Sequence, residues 1–273
     1  MERSFVFYMI CILVIFGVVI LVILRNRSIA EYQDKYINKS GELKYIPKKI
    51  FQLIANKNKI NPDFQQNINY IKNTNPDWEY YLYDDTEMSE YILENYGQGI
   101  LEYYNKINPK YGASRADFFR YLLMYKEGGV YFDIKSASEY SLSKIILPED
   151  EYILSYWDMP MQFLEIDHDM GEFQQWHIIC RPSHPFLYAV INQVIKNIDN
   201  YNSSIGVGKT AVLKVTGPIA YTKAILPILD MYNHRIIELN EFAGLIYNNL
   251  PMSHKNLFSK THYSKITEPV ILK

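Results

Sequence analysis

The sequence predicts an α/β fold carried behind one membrane-spanning helix, and three observations predict it. Strand-like and helix-like segments alternate from Tyr45 onward, which is the pattern of layered α/β domains. A polar-headed helical run at residues 115–129 passes through Gly128-Gly129 into the apolar strand Val130-Tyr131-Phe132 and then a carboxylate, Asp133. Finally, no charge occurs between Phe5 and Leu24. That is about twenty residues, which at about 1.5 Å each match the roughly 30 Å hydrocarbon core of a bilayer.

From the N-terminus the expected organisation is a short tail at 1–4, a transmembrane signal anchor at 5–24, a polar stem at 25–44 and one catalytic-sized domain at 45–273. A cleaved signal peptide is the competing reading of the apolar run. It is longer than the usual run of about 7–15 residues, however, and no small-x-small cleavage site follows it. Arg3 alone precedes the span, whereas Arg25 and Arg27 follow it, so the positive-inside count puts the domain in the cytoplasm. Beyond the stem, strands are expected near 45–54 and 78–83, with helices near 62–73, 86–95 and 99–106. Further strands are expected at 152–156 and 176–180, and helices at 185–198 and 218–231.

The motif helix has a readable start and stop. Ser114 is a candidate N-cap, with Asp117 three residues on in a capping-box variant, so the helix is expected to begin near Arg115. Asp117, Arg120, Tyr121 and Met124 follow helical spacing and share one mixed face, while Phe118, Leu122 and Tyr125 form a neighbouring apolar stripe. Gly128 and Gly129 suit a left-handed helix end, where a Cβ is penalised. Val130-Tyr131-Phe132 has the content of a buried strand. Asp133 then lies at a strand's carboxyl end, where open α/β sheets bind ligands.

The run from Ser114 to Asp133 resembles the core of the DXD sugar-transferring glycosyltransferases, a family that includes yeast-type initiating mannosyltransferases, inositol-phosphoceramide mannosyltransferases and capsular-polysaccharide transferases. Ile46-Pro47-Lys48-Lys49-Ile50-Phe51-Gln52 resembles the family's opening strand, and Asn75-Pro76-Asp77-Trp78 with the following Glu79 to Asp85 resembles its second. Thr216-Gly217-Pro218 and His262-Tyr263-Ser264 fall in the expected order downstream. The resemblance implies a GT-A-like single nucleotide-sugar-binding domain with a mixed sheet. It implies transfer of a hexose from a nucleotide-diphosphate sugar to a hydroxyl of a glycan or glycolipid, with retention. In eukaryotes it also implies a lumenal domain, against the positive-inside count. By the same resemblance Asp117 and Arg120 hold the hexose hydroxyls and the phosphate side, and Asp133 holds ribose, sugar or metal. Gln52 lies in the strand bordering the base, Tyr131 and Lys135 complete the donor set, and His262 is a ligand for metal or diphosphate. The implied cofactor is divalent, Mn²⁺ or Mg²⁺.

One position departs from the pattern. The family's D-x-D reads here Asp133-Ile134-Lys135. In an extended segment i and i+2 face the same side, so a cation is expected beside Asp133. Lysine offers no oxygen to a hard cation, which puts metal dependence in question. Lys135 either neutralises diphosphate charge or merely pairs with Asp133 or points to solvent.

Composition excludes other classes. With 28 basic and 30 acidic residues, no basic footprint for nucleic acid exists. Cys11 lies in the apolar run and Cys180 stands outside it, so no intrachain disulfide staples the domain. Gly206-Val207-Gly208-Lys209-Thr210 ends like a phosphate loop, but Ser203 occupies the place of its first glycine. His168, His177 and His184 lack zinc spacing and read as ordinary surface or core residues. Trp157-Asp158 offers either an acceptor contact or a packing Trp beside a loop Asp. For Asp117 and Arg120 the plain alternative to donor binding is an i, i+3 surface ion pair. The runner-up function is a membrane-anchored nucleotide-sugar or glycan-binding protein that has lost turnover with its second Asp.

Overall fold

The computed structural model of the chain describes residues 45–157, 166, 168–237, 243–250 and 263–272. The tail, anchor and stem, with the N-glycosylation acceptor pattern Asn38-Lys39-Ser40, and the site candidates Asp158 and His262 lie outside the described residues.

The domain opens with β1 (Lys49–Leu53), whose Ile50 and Phe51 are buried. Asn61 caps α1 (Pro62–Thr74) by accepting from the Asp63 amide at 2.8 Å. Pro62 occupies the first turn, where a missing N–H costs nothing. After β2 (Glu79–Tyr83), Asp84 and Glu87 form a reciprocal capping box that opens α2 (Asp85–Lys106). The two helices expected at 86–95 and 99–106 are both present in this run, separated at Gly97, whose φ of 77° and ψ of −179° are non-helical.

Next comes α3 (Gly112–Glu127), two to three residues earlier than the sequence implies. Its N-cap is Tyr111, which makes no side-chain cap bond, and Ser114 is inside the helix, buried and bonded to Thr216 at 2.7 Å. The expected Ser114–Asp117 cap is therefore not formed, because tertiary partners claim both side chains. Nor does α3 present an exposed polar face. Asp117 through Tyr125 are all buried, since α2 and the later helices enclose the helix.

The turn from α3 into β3 (Gly129–Phe132) explains the double glycine. Gly128 and Gly129 have φ of 62° and 94°, which non-glycine residues rarely adopt. Space excludes side chains as well. A Cβ on Gly128 would come within 2.6 Å of Pro182, and one on Gly129 within 2.6 Å of the Lys49 carbonyl. Gly128 has ψ of −165°, so the helix ends in an extended positive-φ geometry instead of the left-handed one expected.

The remaining elements are β4 (Ala137–Ser138), α4 (Leu142–Ile145), β5 (Tyr152–Ser155), β6 (His177–Cys180), α5 (Pro185–Asp199), α6 (Gly208–Val215), α7 (Pro218–Ile225), β7 (Arg235–Ile237) and β8 (Leu245–Ile246). The helix expected at 218–231 ends at Ile225 and continues as a 3₁₀ turn to Met231. By length and composition Gly208–Met231 could cross a membrane, but half of its apolar window is buried inside the domain. Thr216 and Gly217 interrupt it, and α7 packs on α5.

The main sheet is mixed, in the order β2-β1-β3-β6-β5-β7, with β6 antiparallel to both neighbours and the other pairings parallel. β4 and β8 form a separate antiparallel pair. The chain leaves β1 toward β2 on one side and returns to β3 on the other. Such a reversal opens a crevice at the carboxyl ends of the two central strands. Gln52 and Asp133 lie at those ends.

Candidate active site

Two elements meet at the crevice. The α3 helix brings Asp117 and Arg120 beneath the end of β3, where Asp133 emerges. Arg120 Nη2 donates to Asp117 Oδ1 at 2.7 Å, and Nη1 donates to Asp133 Oδ1 at 3.2 Å and to the Gln175 carbonyl at 2.8 Å. Its guanidinium carbon also lies 4.8 Å from the centre of the Tyr131 ring. The second oxygen of Asp117 accepts from the Thr216 hydroxyl at 3.0 Å, and Gln175 Nε2 donates to Asp117 Oδ1 at 3.2 Å. The i, i+3 pair is thus not on the surface. Its side chains are 7% and 4% exposed, against 28% for Asp133. Asp133 is where this buried network reaches solvent.

Burial pushes the Asp117 carboxyl up to about 6, with the nearby Asp133 charge adding to the rise and Arg120 and Thr216 opposing it. Desolvation dominates, and the guanidinium that Asp117 shares with Asp133 offsets only part of it. Arg120 stays fully charged, as its carboxylate neighbours raise its pKa against the cost of burial.

The strand end is held from several sides. Gln52, fully buried, donates from Nε2 to the Asp133 carbonyl at 2.9 Å and accepts from the Tyr80 hydroxyl at 2.8 Å. Tyr131 donates to Asp133 Oδ1 at 2.8 Å, and the Asp133 amide donates to the Trp176 carbonyl at 2.8 Å. Asp133 to Ser136 is a turn closed by Ser136 N to Asp133 O at 2.8 Å. The extended geometry expected for Asp133-Ile134-Lys135 is therefore absent, and strand alternation does not set the direction of Lys135. Asn67 donates to the Ile134 and Ser136 carbonyls at 2.9 and 3.0 Å, and the Asn249 amide donates to the Lys135 carbonyl at 2.8 Å. The turn backbone is clamped, while the lysine side chain has no hydrogen-bond or ion-pair partner among the described residues.

Lys135 Nζ sits 3.8 Å from the centre of the Tyr247 ring. Among the described residues it forms no ion pair with Asp133, so the simple pairing considered from sequence is not made. Burial lowers its pKa, with Asp133 pulling the other way. Tyr247 continues into an aromatic wall, its ring centre 5.6 Å from that of Trp176 and 5.1 Å from that of Trp157. Trp157 in turn donates to Glu172 Oε1 at 3.0 Å. Burial pushes Glu172 up to about 7. Sequence reasoning missed Thr216 as an Asp117 partner, and also Gln175, Tyr247 and Glu172. Only the Thr216-Gly217-Pro218 match pointed toward one of them.

The histidines follow their plain readings. His184 caps α5 and is held neutral, burial lowering its pKa to about 3. His177 meets Ser155 at 2.8 Å inside the sheet, and His168 stacks on Tyr156.

The donor chemistry bears on the implied metal. Among the described residues no group of three His, Cys, Asp or Glu side chains could hold an ion. Asp133 Oδ1 is already shared by Arg120 and Tyr131, which leaves Oδ2 as its oxygen for an ion, and its neighbours are two cations, Arg120 and Lys135. A hard divalent ion wants several oxygen ligands. These residues do not fit one.

Residues 61–153 match the family model described as the glycosyltransferase sugar-binding region containing the DXD motif. The chain is 27% identical over 222 residues to inositol phosphoceramide mannosyltransferase 1 of Schizosaccharomyces pombe, covering 78% of this chain and 60% of that protein. It is 24% identical over 205 residues to the initiation-specific alpha-1,6-mannosyltransferase of the same yeast, covering 68% and 49%. The chain thus spans about half to three-fifths of the length of these relatives. Among solved structures, the UDP-bound glycosyltransferase domain from the YGT toxin aligns with 80% of this chain and 82% of its own at 10% identity, with a TM-score of 0.48.

Proposed function

We propose, for a chain whose residues 61–153 carry the glycosyltransferase sugar-binding region containing the DXD motif, that it is a glycosyltransferase with a GT-A-like domain. In this reading it moves a hexose from a nucleotide-diphosphate sugar to a hydroxyl of a glycan or glycolipid. The observation that carries the reading is the single network joining Asp117, Arg120, Tyr131, Asp133 and Gln52 at the carboxyl ends of β1 and β3.

Glycosyl transfer develops positive charge on the anomeric carbon and negative charge on the leaving diphosphate, so catalysis consists largely of positioning and electrostatics. In our reading Asp133 offers its exposed carboxylate to donor hydroxyls. Asp117 and Arg120 stand behind it and fix its charge and direction, and Gln52 and Tyr131 fix the strand end. Tyr247 and Trp157, both half-buried and backed by the core Trp176, supply faces for a sugar ring. His262, the other metal ligand that the resemblance implies, lies outside the described residues. Membrane attachment through residues 5–24 and retention of anomeric configuration belong to the same reading.

The test is a panel of UDP- and GDP-hexoses screened by thermal shift, followed by assay of free nucleotide release. A ligand that binds only the folded state raises the melting temperature. Stabilisation by one donor with release of its nucleotide supports the transferase. Lys135 in the place of the second Asp favours one second reading, a binding protein without turnover. Stabilisation with no nucleotide release, with or without acceptor, would establish that instead. Failure of every donor to bind overturns both.

A further inference from the structure

The site has a cation where its family pattern has a carboxylate, and the structure shows which cation is uncommitted. Arg120 is occupied, since its guanidinium donates to Asp117, Asp133, Gln175 and Ala116 and is 7% exposed on the side chain. Lys135 is not. Its backbone is pinned through the Asn249 amide, and its ammonium rests on the face of Tyr247 without a carboxylate partner among the described residues. Lys135 is half-buried, and a cation–π contact there contributes up to about 2 kcal/mol; an anion beside the ammonium adds charge-assisted hydrogen bonds that the ring cannot supply. The lysine also belongs to the turn that follows Asp133, the one network carboxylate exposed to solvent.

We propose that Lys135 takes the place of a divalent ion at this site, neutralising the diphosphate of the nucleotide-sugar and allowing it to bind and leave without metal. The inference rests on the nucleotide-sugar reading above and deepens it. In the transfer, the bond from anomeric carbon to diphosphate oxygen breaks with its electron pair remaining on that oxygen. A bond forms from the acceptor hydroxyl oxygen to the anomeric carbon, and the hydroxyl proton passes to the departing diphosphate or to water. Lys135 holds the new negative charge through N⁺–H···O⁻ bonds, which are about twice as strong as neutral ones. It changes protonation at no point.

The experiment titrates GDP and UDP into the intact protein by calorimetry, once with EDTA and once with Mn²⁺. The expected wild-type result is binding of one of them with affinities within about twofold in the two conditions. Lys135→Met, which keeps a long stem against Tyr247 but no charge, should lose at least about tenfold in EDTA, or 1.4 kcal/mol, and Mn²⁺ should not restore it. Lys135→Arg should stay within a few-fold of wild type. Lys135→Asp should bind only when Mn²⁺ is present, because a second oxygen ligand has been added. A wild-type affinity that rises tenfold or more with Mn²⁺ overturns the proposal, as does a Lys135→Met protein that binds like wild type in EDTA. If the variants unfold, the wild-type comparison still decides. Absence of binding by either nucleotide in both conditions removes the nucleotide-sugar reading and this inference with it, an outcome distinct from metal-dependent binding, which removes the inference alone.

Discussion

Arg120 Nη1 stands 3.2 Å from Asp133 Oδ1, although one residue belongs to the middle of α3 and the other to the end of β3. The thirteen-residue separation is closed by the Gly128-Gly129 turn, which reverses the chain so sharply that strand end and helix face each other. The other side of the same guanidinium holds Asp117, so any change in one of the three charges is felt by the other two.

Removal of one partner from this buried group is expected to damage stability as well as activity. Asp117 and Arg120 lie almost wholly inside, and leaving a buried charge unpaired costs about 3–5 kcal/mol. Arg120→Ala should lower the free energy of unfolding by that amount, seen as a lower urea midpoint at unchanged slope, and in the proposed reading should abolish nucleotide-sugar turnover. Arg120→Lys should recover only part of both, since a point charge cannot serve acceptors on two sides. Denaturant unfolding that left Arg120→Ala within 1 kcal/mol of wild type would contradict the buried geometry.

The two kinds of strain on the glycines can be separated. Gly97 and Gly129 both have positive φ, 77° and 94°, but a Cβ on Gly97 meets nothing within 4 Å while one on Gly129 meets the Lys49 carbonyl at 2.6 Å. Gly97 pairs φ of 77° with ψ of −179°, an extended positive-φ geometry that is essentially glycine's alone, so Gly97→Ala should cost about 1–3 kcal/mol. Gly129→Ala should cost distinctly more and should also weaken donor binding, because β1 and β3 must separate. Equal melting temperatures for the two variants would count against the overlap.

Asp117 sets an expected pH dependence. Burial raises its carboxyl to about 6 in the folded protein, against an unfolded value near 3.9. Between those values the folded state holds a proton that the unfolded chain has released, so raising the pH across this window lowers stability, and the loss is complete above about 6. Activity should move the other way, falling as pH drops below about 6 and neutral Asp117 releases Arg120. Urea midpoints measured from pH 4 to 7 for wild type and Asp117→Asn check the sign: the wild-type decline should be absent in the variant.

Topology is open to a simple readout. Asn202 lies exposed in the Asn202-Ser203-Ser204 sequon, its side chain accepting from the Ser204 amide at 3.0 Å. If the domain enters a lumen as the family habit implies, expression in eukaryotic microsomes should give a glycosidase-sensitive mass shift lost in Asn202→Gln and Asn38→Gln. If Arg25 and Arg27 set the orientation, no shift should occur and added protease should digest the domain.

Local sequence determined the elements. The short apolar strands, the helices near 62–73 and 185–198, the paired glycines and the carboxylate after Phe132 were all legible, because each depends on neighbours within a few residues. The site's composition was legible only through the resemblance of whole motifs. Tertiary structure alone decided what those residues do to one another. It buried the Asp117–Arg120 pair that i, i+3 spacing would equally allow on a surface, and it drew Ser114 away from the helix cap toward Thr216. It also folded Asp133-Ile134-Lys135 into a turn, carrying the lysine to Tyr247, 112 residues downstream. Burial and long-range hydrogen bonds depend on which elements pack together, and no local spacing encodes that.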